Sequence, residues 1–278
     1  MMIVEQMLNN APKPLLHIAD VSGSALFQGD CLDIMPLIPD KSVQLILADL
    51  PYGTTACKWD SIIDLNLLWK QYKRIIKDNG AIVLTASQPF TTKLISSNYE
   101  MFKYELIWEK SRASNIFFRN TQPLKYHENI LVFSLAGAHN MSIEKMLYNP
   151  KMQERDKKNI RTAKSYKTSG NTIFGDERTF ISSIDNDRRS SSNIYPKSII
   201  KIGSMSNFKN TERQHPTQKP LELMKYLILT YSNENDMVLD NTMGVGTTCL
   251  AAKELNRKFI GIEKEPKYYE IACQRCSF

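Results

Sequence analysis

The alternation of apolar and polar positions divides the chain into two α/β stretches separated by a polar one. Leu26–Gln28 reads as a short strand ending at Gly29-Asp30. Val43 to Ala48 (VQLILA) is a near-continuous apolar run, the pattern of a parallel strand buried on both faces, and it stops at Asp49-Leu50-Pro51-Tyr52-Gly53, which is loop chemistry. Leu65 to Ile76 places apolar residues at helical spacing behind Asp64, a suitable N-cap, with Asn79-Gly80 as the expected stop. Ala81–Thr85 reads as another buried strand, Pro89 to about Asn98 as a helix, and Tyr104–Trp108 with Asn129–Ser134 as a strand pair. After Pro216 the pattern returns, with a helix over Pro220–Tyr231 and a strand at Met237–Leu239. A Gly-containing turn follows, then a helix from Thr247, a strand at Phe259–Ile262 and a final helix from Pro266. Strands alternating with helices imply a mostly parallel sheet.

This layout divides the chain into an N-terminal arm over 1–20, a first core half over 21–137, an insert over 138–210 and a second core half over 211–278. The insert is polar, rich in serine and lysine, and holds essentially all of the net charge of +7. It also contains Tyr148, Tyr166, Phe174, Phe180, Tyr195 and Phe208. Basic residues interleaved with aromatics suit contact with nucleic acid, against the alternative of a plain solvated segment. The five cysteines (Cys31, Cys57, Cys249, Cys273, Cys276) and four scattered histidines form no convincing zinc pattern, so no metal is expected and the thiols are read as reduced, in a cytoplasmic protein. No apolar run is long enough to span a bilayer.

Three short elements suggest chemistry. Val238 to Thr248 runs a strand into a turn containing Gly244 and Gly246 that opens a helix, and Gly261-Ile262-Glu263 ends the next strand. Glycines let backbone approach a ligand, and an acid at the following strand end can accept from ribose hydroxyls; Cys249, where a dinucleotide fingerprint has its last glycine, argues against NAD. Asp49-Leu50-Pro51-Tyr52 offers a carboxylate and a flat ring on which an extruded base could stack, although alone it also fits an ordinary turn. His215-Pro216-Thr217-Gln218-Lys219-Pro220 is uninformative by itself.

Taken in order, these elements resemble the β class of bacterial and phage DNA amino-methyltransferases. There a D-P-P-Y or S-P-P-Y motif precedes a target-recognition insert, an H-P-T-Q-K-P element and a D-P-F-x-G-S-G-T-T cofactor loop. Trp108-Glu109-Lys110 and His127 to Phe133 also resemble that class. Leu50 stands where the family usually has proline, and Asn241-Thr242 where it has Pro-Phe. The resemblance implies a class I S-adenosylmethionine-dependent methyltransferase fold, Rossmann-like, with a mostly parallel seven-stranded sheet, circularly permuted motif order and a basic target-recognition insert. It implies catalytic roles for Asp49, Leu50, Pro51 and Tyr52. Cofactor contacts are expected from Asp30, Thr217, Lys219, Asp240, Thr242, Gly244, Gly246, Thr247, Thr248 and Glu263, with Lys219 near the methionine carboxylate, Glu263 at the ribose and Asp30 at the adenine. Arg112, Arg119, Arg161, Arg178, Arg188 and Arg189 are the expected DNA contacts. The implied reaction moves a methyl group from S-adenosylmethionine to adenine N6 in double-stranded DNA after base flipping. Cytosine N4, a weakly active DNA-binding relative serving as a specificity partner, and RNA or protein-glutamine methylation are the alternatives. A C5-cytosine mechanism is excluded, because no cysteine follows a proline. A homodimer and a companion restriction endonuclease are further partners the resemblance admits.

Overall fold

A computed structural model describes residues 3–11, 17–19, 23–53, 61–154, 193–203 and 218–277. The elements, in chain order, are α1 (Ile3–Asn10), β1 (His17–Ala19), β2 (Ala25–Gln28), α2 (Cys31–Ile34), β3 (Val43–Ala48), α3 (Leu65–Ile75) and β4 (Ile76–Ala86). Next come α4 (Phe90–Ser97), β5 (Phe102–Glu109), β6 (His127–Phe133), β7 (Gln153–Glu154), β8 (Asn193–Ile194) and β9 (Ile199–Lys201). The chain closes with α5 (Leu221–Tyr231), β10 (Met237–Asp240), α6 (Thr247–Glu254), β11 (Lys258–Glu263) and α7 (Pro266–Arg275).

The main sheet runs β1-β2-β11-β10-β3-β4-β6-β5-β9. From β2 to β4 every pairing is parallel; β6 is antiparallel to both β4 and β5. Seven strands were expected, and the two additional ones, β1 and β9, are three-residue edge strands. The apolar run of β3 is buried along its whole length because both faces are covered. Ile46 and Ala48 face the layer of α1 to α4, and Leu45 and Leu47 face the layer of α5 to α7. Burying such a strand contributes roughly 1.5–3 kcal/mol per large aliphatic side chain.

Two expectations change. The opening residues are not simply a loose arm: α1 buries Val4 and Met7, three positions apart, in the first layer. Asn79-Gly80 does not stop the helix. α3 ends at Ile75, and β4 starts at Ile76 and passes through Lys77-Asp78-Asn79 as an irregularity, so that Val43 pairs with Ile76 but Leu45 with Ala81. The polar triplet concealed the start of the strand. The chain divides into two units, 1–149 with 198–278, and 150–197. Residues on either side of 150–197 join the main unit, where Leu147 N–H donates to the Asn79 carbonyl (2.9 Å) and β9 pairs with β5. Within the smaller unit, β7 and β8 form an antiparallel pair. No helix among the described residues is long and apolar enough to cross a membrane.

The central pair, β10 and β3, is the point where chain order reverses: β3 continues to β4 on one side, β10 to β11 on the other. Both strands end at the same edge, so the loops after Ala48 and Asp240 meet there. Open α/β sheets bind ligands at such a switch point.

Candidate active site

The loop after β10 turns through Gly244 (φ 53°) and Gly246 (φ 73°), left-handed conformations that favour glycine. A Cβ at Gly246 would come within 2.9 Å of the Ala272 Cβ, so this glycine also permits α7 to pack closely. A Cβ at Gly244 would meet nothing within 4 Å: this glycine borders open space. Glu263, ending β11, accepts from the N–H groups of Gly244 and Glu265, each at 2.8 Å. Asp30, ending the β2 turn, caps α2 by accepting from Leu32 N–H (2.9 Å) and pairs with Lys264 (3.1 Å). The open space at Gly244, with Glu263 beside it and Asp30 at the end of the neighbouring strand, is a fitting seat for a nucleoside.

Beneath the loop, Asp240 is buried and accepts from Thr242 N–H at 3.1 Å, with Thr248 also bonded to its carboxylate. Burial, partly offset by those two bonds, lifts Asp240 to about 7. Burial also raises Glu263 above its ordinary value, against the lowering pull of the backbone N–H groups it accepts from. The Thr247 hydroxyl accepts from Arg275 (3.1 Å), so Thr247 and Thr248 act here as supports for the loop. Both residues of the Asn241-Thr242 departure are hydrogen-bonded. Tyr72 donates to Asn241 Oδ1 (2.5 Å), and the Thr242 hydroxyl donates to the backbone carbonyl of Asp49 (3.2 Å), tying the loop after β10 to the loop after β3.

Across that tie lies the second group. Asp49 Oδ1 accepts from the Tyr52 hydroxyl at 2.8 Å and from the Thr85 hydroxyl, while Oδ2 accepts from Lys219 at 2.6 Å. Lys219 is flanked on its other side by Glu128 (3.4 Å), which in turn accepts from Lys110 (2.9 Å). The result is an alternating line of charge: Lys110, Glu128, Lys219, Asp49. Burial opposes the Lys219 charge, yet Asp49, Tyr52 and Glu128 hold its ammonium well above the ordinary value. Burial likewise opposes ionised Glu128, and the two lysines pull it below its ordinary value. Burial and the neighbouring Asp49 push the Tyr52 phenol well up, so it stays a donor. The Tyr52 ring stacks on Phe90 (centroids 5.3 Å apart, 24° between planes). Leu50 is buried in the core.

The structure thus brings together Asp49, Leu50, Pro51 and Tyr52 with the Asp240–Thr248 loop, and sets Asp30 and Glu263 along the same edge. Lys219 places its ammonium between two protein carboxylates, Asp49 and Glu128. Arg112 and Arg119 are exposed in the loop between β5 and β6. Thr217, Arg161, Arg178, Arg188 and Arg189 lie outside the described residues. Sequence reasoning did not single out Thr85, Phe90, Lys110, Glu128 or Tyr72 as site residues. Only Lys110 and Glu128 had a signal, through the Trp-Glu-Lys and His-Glu-Asn stretches.

A family model for N6/N4 methyltransferases, described as DNA methylase, matches residues 43–274. The Type II methyltransferase M2.MboI of Moraxella bovis is 24% identical over 276 residues, 90% of this chain and 86% of that protein. The Type II methyltransferase M.HinfI of Haemophilus influenzae is 28% identical over 278 residues, 91% of this chain and 68% of that protein. Among solved structures, the M1.HpyAVI–SAM complex superposes with a TM-score of 0.57 at 24% identity, covering 91% of this chain and 98% of that one. With the family model spanning most of its length, the chain belongs to the N6/N4 DNA methylase family.

Proposed function

We propose that the chain transfers a methyl group from S-adenosylmethionine to the N6 amine of adenine in double-stranded DNA, at a specific sequence. The observation behind this reading is the Asp49 carboxylate, at the end of β3 and tied by Thr242 to the glycine cradle, so that an amine acceptor and a nucleoside seat adjoin. The open face at Gly244, with Glu263 and Asp30 beside it, fits the nucleoside part of S-adenosylmethionine; the M1.HpyAVI–SAM complex, which shares this fold, supports that choice. When bound there, the cofactor supplies an electrophilic sulfonium methyl. Glu263 would accept from the ribose hydroxyls and Asp30 would lie at the adenine, with the Thr242–Gly246 loop holding the cofactor between them.

On the other side, Asp49 and the Leu50 carbonyl accept the two hydrogens of the target amine. That turns the nitrogen lone pair out of the ring and toward the methyl group. Tyr52 provides the face against which the extruded base rests. Lys219 and Glu128 hold the Asp49 carboxylate in one orientation, so the work is positioning and electrostatics, with no covalent enzyme intermediate. Asp at position 49, where related cytosine enzymes lean to Ser, favours adenine. The basic 138–210 stretch is assigned the reading of the target sequence; its net charge supports this. Labelled S-adenosylmethionine incubated with unmodified DNA, followed by nucleoside chromatography, tests the proposal. Label in N6-methyladenine is expected; label only in N4-methylcytosine would transfer the assignment to cytosine, and unlabelled DNA would overturn it.

A further inference from the structure

The β5–β6 loop, residues 110–126, leaves the sheet at the edge where Asp49 lies. β4 runs parallel to β3, β6 antiparallel to β4 and β5 antiparallel to β6, so β5 ends and β6 begins beside the site. The roots of the loop are fastened into it. Lys110 belongs to the line of charge that ends on Asp49, and the Lys125 ammonium donates to Ser87, just past the end of β4.

Between those roots the chain satisfies its own backbone. Lys110 N–H donates to the Tyr126 carbonyl (2.6 Å) and Ser114 N–H to that of Lys125 (3.0 Å). Asn115 accepts from Lys125 N–H (2.6 Å) and donates to the Pro123 carbonyl (3.0 Å). The Phe118 carbonyl accepts from the N–H groups of Thr121 and Gln122. The tip is a single 3₁₀ turn, Ile116–Phe118. That tight turn presents three large apolar side chains to solvent: Phe117 is 91% exposed and Phe118 56%. A hydrogen-bonded scaffold that displays phenylalanines instead of burying them indicates an interaction surface. Its chemistry selects the partner. Residues 110–126 include two lysines and two arginines but no Asp or Glu, and Arg112 and Arg119 flank the tip in the open. An apolar point between two cations matches a base step between two phosphate strands.

We propose that the Ile116–Phe118 tip is a wedge, with Phe117 entering the duplex beside the target base and occupying the stack that this base leaves. The proposal rests on the reading of Asp49 as the group that receives an extruded base. Extrusion costs unstacking and unpairing, and an apolar side chain that fills the gap offsets part of that cost.

The test compares methylation of two duplexes, after the target sequence has been mapped by sequencing methylated plasmid. One duplex is fully matched; in the other the target base faces an abasic site, so that no pair has to be opened. For Phe117→Ala, the matched-to-abasic rate ratio is expected to fall by about tenfold or more relative to wild type. Phe117→Trp, which restores a flat apolar tip, should bring it back. Cofactor affinity and melting temperature should not change, since the side chain is exposed. A wild-type ratio in Phe117→Ala would overturn the wedge. So would an equal loss on both duplexes, or an unchanged ratio with a loss of self-association in sedimentation, which would make the tip a contact between copies of the chain. If the wild-type protein methylated neither duplex, the base-amine reading would fail, and the wedge with it.

Discussion

The two sides of the sheet edge satisfy their charges by different means. On the β10–β11 side, each carboxylate accepts from nearby backbone: Asp30 from Leu32 N–H, Asp240 from Thr242 N–H, Glu263 from Gly244 and Glu265 N–H, with the Lys264 and Thr248 side chains added at Asp30 and Asp240. On the β3–β4 side, Asp49 is held by side chains from three separate places, Tyr52, Thr85 and Lys219, and Lys219 in turn by Glu128. Backbone donors come with the turn that creates the site. Side-chain donors exist only once distant segments have packed. The Gly244–Glu263 part of the nucleoside seat is built over a short span of chain, with Asp30 added from β2, whereas an oriented acceptor for an amine requires more distant segments to pack.

The sharpest way to separate the two sides is Asp49→Ala. Its removal should lower methyl transfer by about a hundredfold or more, the usual effect of losing a positioned polar group at a reacting centre. Calorimetry should find S-adenosylmethionine affinity close to wild type. Loss of affinity on the same scale would mean that the two sides are one site. The converse substitution, Glu263→Ala, leaves the N–H groups of Gly244 and Glu265 without their carboxylate. It should weaken cofactor binding by about tenfold or more, with DNA affinity in a gel-shift assay little changed.

Glu128→Gln probes the assembled side indirectly. Glutamine keeps a hydrogen-bonding carbonyl for Lys110 but removes the charge that steadies Lys219. Single-turnover rates should fall by about tenfold, with cofactor affinity unaffected, and Glu128→Asp should recover part of the rate. A rate equal to wild type would remove Glu128 from the account.

The smallest effect concerns stability. Asp240 titrates at about 7 in the fold, above its value of about 3.9 when unfolded. The folded chain therefore binds the extra proton. The stability this contributes is complete below about pH 4 and is lost as pH rises through about 7. Melting curves at pH 5 and pH 8 should show a larger drop for wild type than for Asp240→Asn. Equal drops would mean that the carboxyl is ionised throughout.

The same contrast explains how far the sequence could be read. The cofactor side is contiguous: strand, Gly244-x-Gly246 turn, helix, and an acid ending the next strand all fall within 237–263, so spacing alone reveals them. Asp49 and Tyr52 were visible because they adjoin in the chain at the end of an apolar run. Thr85 and Phe90 were not singled out, because nothing local distinguishes a threonine at a strand end or a phenylalanine opening a helix until β3, β4 and α4 are packed together; Glu128 carried only the His-Glu-Asn signal. The motif marks Lys219 as a site residue but does not say which protein carboxylates surround it. Within the fold, α1 was missed because only two buried anchors, Val4 and Met7, mark it. The start of β4 was missed because its irregularity consists of three polar residues.

The central claim is that the Asp49 corner presents an adenine amine to the methyl donor at a defined DNA sequence. Its most direct test is to express the chain in a host lacking DNA methylation and to read modified bases across the host genome. The account predicts N6-methyladenine at one short recognition sequence, absent when Asp49→Ala is expressed instead. Unmodified DNA, or N4-methylcytosine as the only modified base, would contradict it.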